Sequence, residues 1–142
     1  VWVTHSEPGS GGVFDPASGF VKVVDEFSPR QDEVRITKTS VNAFTTTNLQ
    51  QVLTTHGIRN LVICGIRTEQ CCETTARVAS DLGFEVVFVT DATTTSAITA
   101  GDGYGAIAGE DVMHRTESIL GARGFATITT TAECVERRSA AA

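Results

Sequence analysis

Apolar residues in this chain gather into short runs, and the stretches between them carry helical spacing. Leu61–Cys64 and Val86–Val89 are continuously apolar, the pattern of strands buried on both faces. Val1–Thr4, Glu33–Thr37 and Phe125–Thr129 read as further strands. Leu49, Val52 and Leu53 share one helical face behind Thr46 or Thr47, either of which can cap, and Gly57 supplies the stop. A second helix from about Cys71 places Thr75, Ala76, Ala79 and Leu82 inward and ends at Gly83. Glu110–Leu120, with Met113 and Leu120 inward, and Ala132–Arg137 complete the helices. Strands alternating with helices predict an α/β fold, a three-layer α/β/α sandwich around a mostly parallel, Rossmann-like sheet. Its strands are expected near residues 1–4, 34–37, 60–65, 85–90 and 125–129. Right-handed crossovers put the strand C-terminal ends on one edge, where ligands bind. Lys38 and Cys71 both follow strand ends and are expected on that edge.

A length of 142 residues suits one domain, expected over residues 1–138, with a disordered Ala-rich tail over 139–142. The net charge of −6 and the pI near 4.9 argue against nucleic acid or an anionic membrane surface as partner. No apolar run of about 18 residues is present to span a membrane, and the opening residues do not read as a signal peptide. Four cysteines are present, but Cys64 lies in an apolar strand and Cys71 and Cys72 are adjacent. That pattern fits a reducing compartment, with the cytoplasm as the default.

The chemistry concentrates in Gly65-Ile-Arg-Thr-Glu-Gln-Cys-Cys-Glu-Thr-Thr-Ala76. An apolar strand ends at Gly65, a short polar loop follows, and Cys71 stands where a helix begins. A thiol there meets backbone N–H groups and the positive end of the helix dipole, both of which favour the nucleophilic thiolate. The same N–H groups suit an oxyanion formed when the sulfur attacks a carbonyl. Cys72, about 100° further round the helix, points away and reads as small core filler.

This segment closely resembles the nucleophile loop of the isochorismatase-like cysteine hydrolases. Lys38-Thr-Ser-Val-Asn-Ala-Phe44 resembles the family's lysine segment, and Gly83-Phe-Glu-Val-Val-Phe-Val-Thr-Asp-Ala92 resembles the strand and Asp-Ala that follow the nucleophile. His114 and Thr129-Thr-Thr-Ala-Glu133 fit the family's last helix and strand end. The resemblance implies Cys71 and Lys38 as catalytic residues, with Ile66, Arg67 and Phe44 around the oxyanion and substrate. It also implies a cis peptide bond between Ile66 and Arg67, which aims the N–H of Arg67, with that of Cys71, at one oxyanion. It leaves open whether the Arg67 guanidinium reaches a substrate carboxylate.

One departure stands out. The family carries a catalytic Asp at the end of a first strand, and no segment of this sequence matches it. The chain opens on Val1-Trp-Val-Thr-His5, which resembles the family's second strand, so the sequence reads as N-terminally incomplete. Asp15, Asp25 and Asp32 lie in turn-rich or pre-strand positions and are poor substitutes. The activity implied is hydrolysis of a C–N bond in a small amide, carbamoyl or ureido compound through a cysteine thioester, with no cofactor or metal. The retained cysteine favours this amidohydrolase branch over vinyl-ether hydrolysis of isochorismate. The alternative is a catalytically silent member or fragment that acts as an assembly or binding protein. Family members are commonly dimers or larger, so a homo-oligomer is implied. His5 lacks a second histidine nearby for a metal site, His114 reads as structural, and Gly101-Asp-Gly-Tyr-Gly105 as a flexible turn.

Overall fold

The computed structural model describes residues 1–99, 101 and 105–140, with side chains through residue 137. It divides into two compact units, Val1–His56 and Gly57–Ala142.

In the first unit, β1 (Trp2–His5) and β2 (Arg35–Lys38) run parallel, in a register that sets Trp2 opposite Arg35 and His5 opposite Lys38. Side chains pin the pair at both ends. The Trp2 indole N–H donates to Glu33 Oε2 at 2.9 Å, and the Thr4 and Thr37 hydroxyls meet at 3.0 Å. Asp15 caps a short 3-10 turn, Pro16–Ser18, by accepting from the N–H of Ala17 and that of Gly11. Helix α1 (Leu49–Thr55) starts after Asn48, whose side chain makes no capping bond, and Thr47 Oγ1, one residue earlier, accepts from the Leu49 N–H at 3.1 Å. Ile36, Ala43, Phe44, Leu49 and Leu53 are the buried apolar residues of this unit.

In the second unit, β3 (Asn60–Ile66), β4 (Glu85–Thr94) and β7 (Thr127–Thr129) form a parallel sheet with β4 in the centre. The predicted parallel relation of Leu61–Cys64 to Val86–Val89 holds, with Leu61 opposite Val86 and Ile63 opposite Phe88. The ladder then slips, because Gly65 pairs with Thr93, so two steps along β3 face five along β4. The surplus residues of β4 bulge where the strand ends approach the segment that carries Cys71. Helices α2 (Glu73–Asp81), α3 (Gly109–Ala122) and α4 (Thr131–Ala140) follow their strands, and the two-residue strands β5 (Ile98–Thr99) and β6 (Ala106–Ile107) pair antiparallel. The core centres on Phe88, Ala76, Ala79 and Leu120, each fully buried.

Several expectations need correcting. The helix after Cys71 buries Ala76 and Ala79, but Leu82 is 40% exposed, because the helix closes before it and the chain turns at Gly83. On α3 the buried stripe is Val112, Thr116 and Leu120 at four-residue spacing, which leaves Met113 half-buried at its margin. Among the described residues β3 is an edge strand, and its burial alternates: Val62, Cys64 and Ile66 are exposed while Leu61, Ile63 and Gly65 are partly covered. α4 runs two residues into the stretch expected to be disordered, and residues 141 and 142 lie outside the described ones. Most of the expected turn at Gly101–Gly105 also lies outside them.

Candidate active site

At the C-terminal end of β3 the backbone turns sharply. Gly65 has φ +128°, a region that side chains other than glycine's rarely enter, and a Cβ placed on it would meet Cys72 Sγ at 3.8 Å. The Ile66–Arg67 peptide bond is cis, as the family resemblance implies. Residues Thr68–Cys72 then form a π-helical turn that runs directly into α2. Cys71 therefore sits inside this turn and not on the first residue of the α-helix. The difference has a local cause: the Arg67 carbonyl accepts from the N–H groups of both Gln70, at 3.3 Å, and Cys72, at 3.1 Å, which widens the turn by a residue before regular helix begins.

Three sets of contacts hold the turn. Thr68, with no exposed surface, donates to Thr93 Oγ1 at 3.0 Å, and Thr93 donates to the Thr90 carbonyl at 2.9 Å, which ties the turn to the β4 bulge. The Arg67 guanidinium donates to Ser96 Oγ at 3.1 Å. Glu73, at the start of α2, is buried among cationic and hydroxyl donors. Its Oε1 accepts from Arg77 Nε and Nη2 at 3.0 and 2.8 Å, and its Oε2 accepts from Arg115 Nη1 at 2.6 Å and Thr116 Oγ1 at 3.0 Å. Arg77 also stacks over the Phe125 ring, 4.5 Å from its centroid. Cys72 is buried beneath the turn, in line with its reading as filler, and Cys71 is half-buried. None of the four cysteines is in a disulfide. Both carboxylate oxygens of Glu69 are buried without a hydrogen-bond partner among the described residues.

The first unit carries the lysine segment. Lys38 ends β2 and is 4% exposed, and its Nζ donates to the Ser40 carbonyl at 2.9 Å and lies 3.3 Å from His5 Nδ1. Because a lysine ammonium only donates, His5 accepts at Nδ1 and carries its proton on Nε2, which reaches Glu7 Oε1 at 3.1 Å. The β1–β2 register places His5 beside Lys38, so this histidine is a partner of the lysine. Phe44 is buried, with its N–H on Asn42 Oδ1 at 2.8 Å. Asp15 is occupied as a cap, and the backbone N–H groups of Ala17 and Gly11 hold its carboxyl below the usual range. Asp25 pairs with Lys22 and Asp32 with Arg30 at the surface. His114 is exposed on α3.

Of the residues singled out from sequence, Ile66, Arg67 and Cys71 lie on the short segment from the end of β3 through the π-helical turn of the second unit, while Lys38 and Phe44 belong to the first. Sequence reading missed the burial of Glu73. The i,i+4 spacing of Glu73 and Arg77 is visible in the chain, but the Arg115 and Thr116 contacts cross 42 and 43 residues and leave no local signal. It also missed the role of Asp91, whose Oδ1 accepts from the N–H and hydroxyl of Thr131 at 2.7 and 2.9 Å and so starts α4.

Comparison with known proteins agrees with this architecture. A cysteine hydrolase from Pseudomonas syringae pv. phaseolicola 1448A superposes with a TM-score of 0.90 at 26% identity, over 99% of this chain and 71% of that one. The ureidoacrylate amidohydrolase RutB of Agrobacterium fabrum is 41% identical over 71 residues, which are 50% of this chain and 31% of that protein. Nicotinamidase 3 of Arabidopsis thaliana is 45% identical over 60 residues, 42% of this chain and 30% of that protein. The chain spans about half the length of the first curated relatives it matches. The isochorismatase domain model matches residues 1–133, and the chain belongs to this family of hydrolases.

Proposed function

We propose that the protein hydrolyses a C–N bond in a small amide, carbamoyl or ureido compound, with Cys71 as nucleophile. The observation that carries this reading is the turn itself. A half-buried cysteine stands at the C-terminal end of a parallel strand, in a turn tied down by Thr68, Arg67 and Glu73. Nucleophilic catalysis needs this combination of access and rigidity. Two relatives whose names denote amide-bond hydrolases, a ureidoacrylate amidohydrolase and a nicotinamidase, support the substrate class.

In the proposed cycle the thiol proton passes to a general base as sulfur bonds to the carbonyl carbon. The N–H groups of Arg67 and Cys71 hold the oxyanion, and Lys38 supplies positive charge. The tetrahedral intermediate collapses, the C–N bond breaks, and the base returns its proton to the departing nitrogen. Water then cleaves the thioester to give the acid and restore the thiol. The family resemblance assigns this base to the Asp of the family's first strand, while Asp15, Asp25 and Asp32 are engaged elsewhere. The reading extends to a homo-oligomer acting in the cytoplasm.

Ammonia release from a panel of primary amides, N-carbamoyl amino acids and ureido acids tests the reading. The chain carrying the family's first strand and its Asp is expected to turn over at least one of them, and Cys71→Ala to abolish that turnover. The 142 residues alone are expected to alkylate at Cys71 but to hydrolyse little. Turnover that survives Cys71→Ala would refute the nucleophile, and alkylation without hydrolysis in the longer chain would favour a binding role.

A further inference from the structure

Glu73 is a carboxylate that the proposed cycle does not use, yet the fold buries it. Its side chain is 7% exposed, on the first residue of α2 and two positions beyond Cys71. A carboxylate is costly to bury unless donors replace its water, and four donor atoms do so here: two on Arg77 of α2 itself, and Arg115 Nη1 and Thr116 Oγ1 on α3. Apolar side chains would serve packing at least as well. A charge-assisted, directional set of bonds instead fixes the position of its anchor.

That anchor is also the joint of the nucleophile turn. The Glu73 N–H closes the turn by donating to the carbonyls of Gln70 and Thr68, while its side chain grips α3. α3 packs against both the turn and α2. We propose that Glu73 is a positioning residue for Cys71: through Arg115 and Thr116 it fixes the start of α2 against α3, and so holds the nucleophile turn in its reactive geometry. The inference rests on Cys71 being the nucleophile.

Positioning and bulk charge make opposite predictions. Two guanidiniums on one carboxylate leave the cluster with one excess positive charge, and removing Glu73 leaves two. If charge alone mattered, Glu73→Ala would leave Cys71 as reactive as before or more so. If position matters, reactivity falls.

The test is iodoacetamide alkylation read peptide by peptide, with Cys134 as internal reference, well below each variant's melting temperature. Glu73→Ala is expected to slow Cys71 relative to Cys134 by about tenfold, within the roughly 10²-fold that a 1 Å misplacement of a reacting group can cost. The pair Arg115→Leu with Thr116→Val, which cuts only the α3 side, is expected to do the same. In the hydrolysing protein kcat should fall with KM unchanged. An unchanged or faster Cys71 in these variants overturns the proposal. Should Glu73→Ala fail to fold, the α3-side pair decides. Turnover that survives Cys71→Ala would sink the nucleophile assignment instead, which the alkylation ratio does not measure.

Discussion

Gly65→Ala probes whether the backbone at the end of β3 is as constrained as its geometry implies. Gly65 has φ +128°, and a Cβ there would sit 3.8 Å from Cys72 Sγ, an ordinary van der Waals contact. The cost is therefore conformational and not steric, about 1–3 kcal/mol for holding an alanine in a region that only glycine occupies readily. In a domain of this size that corresponds to a melting-temperature drop of roughly 3–10 °C. Gly124→Ala is the control, with φ +72° and nothing within 4 Å of the added methyl. It should be destabilised too, because an alanine is strained there as well. The two differ in their reach. Gly65 leads into the turn that carries Cys71, so Gly65→Ala should also slow alkylation of Cys71, and Gly124→Ala should not. Thermal melts with peptide-resolved alkylation read both quantities. A Gly65→Ala protein as stable as its parent, or one that loses stability with Cys71 unaffected, would refute the link between this backbone and the turn that carries Cys71.

Other outcomes follow from the same structure. Phe88 is fully buried in the central strand, so Phe88→Ala should cost about 3–5 kcal/mol in urea unfolding of the second unit, and a loss below about 1 kcal/mol would mean the core is not closed around it. Glu69 buries two carboxylate oxygens without a donor among the described residues, so Glu69→Met should raise the melting temperature, and a lower one would show that a partner satisfies the acid. Glu33 is held below the ordinary glutamate value of 4.5 by the Trp2 indole and the Arg30 N–H, and Glu133 by the Thr129 hydroxyl and the Thr130 N–H. A carboxylate lowered on folding stabilises fully above its unfolded value and loses that contribution as pH falls through its folded value. Glu33→Gln and Glu133→Gln should therefore be less stable than the parent near neutrality and converge with it as pH falls through the lowered carboxyl values, and a gap independent of pH would contradict the assignment.

Much of the fold is legible because local physics writes it into the chain. Continuous apolar runs such as Leu61–Cys64 and Val86–Val89 have few ways to hide except as neighbouring parallel strands, and they pair as expected. The Thr47 hydroxyl accepts from the first N–H of α1, although Asn48 holds the cap position, and Gly57 and Gly83 turn the chain where helices end. The errors arise where an answer depends on neighbours. Leu82 looks inward on a helical wheel, but the helix stops before it, and Cys64 looks buried in an apolar run, but its strand lies at the edge of its sheet.

The site divides along the same line. The order strand, polar loop, cysteine, helix is a one-dimensional pattern, so the sequence alone determined which thiol to suspect and which segment resembles a nucleophile loop. Only the tertiary structure decided that Cys71 lies in a π-helical turn, that His5 is Lys38's neighbour, and that Glu73 is buried under two arginines. Periodicity and propensity act over a few residues, whereas hydrogen-bond partners such as Arg115 and Thr116 are chosen by packing across more than forty positions, which no local pattern encodes.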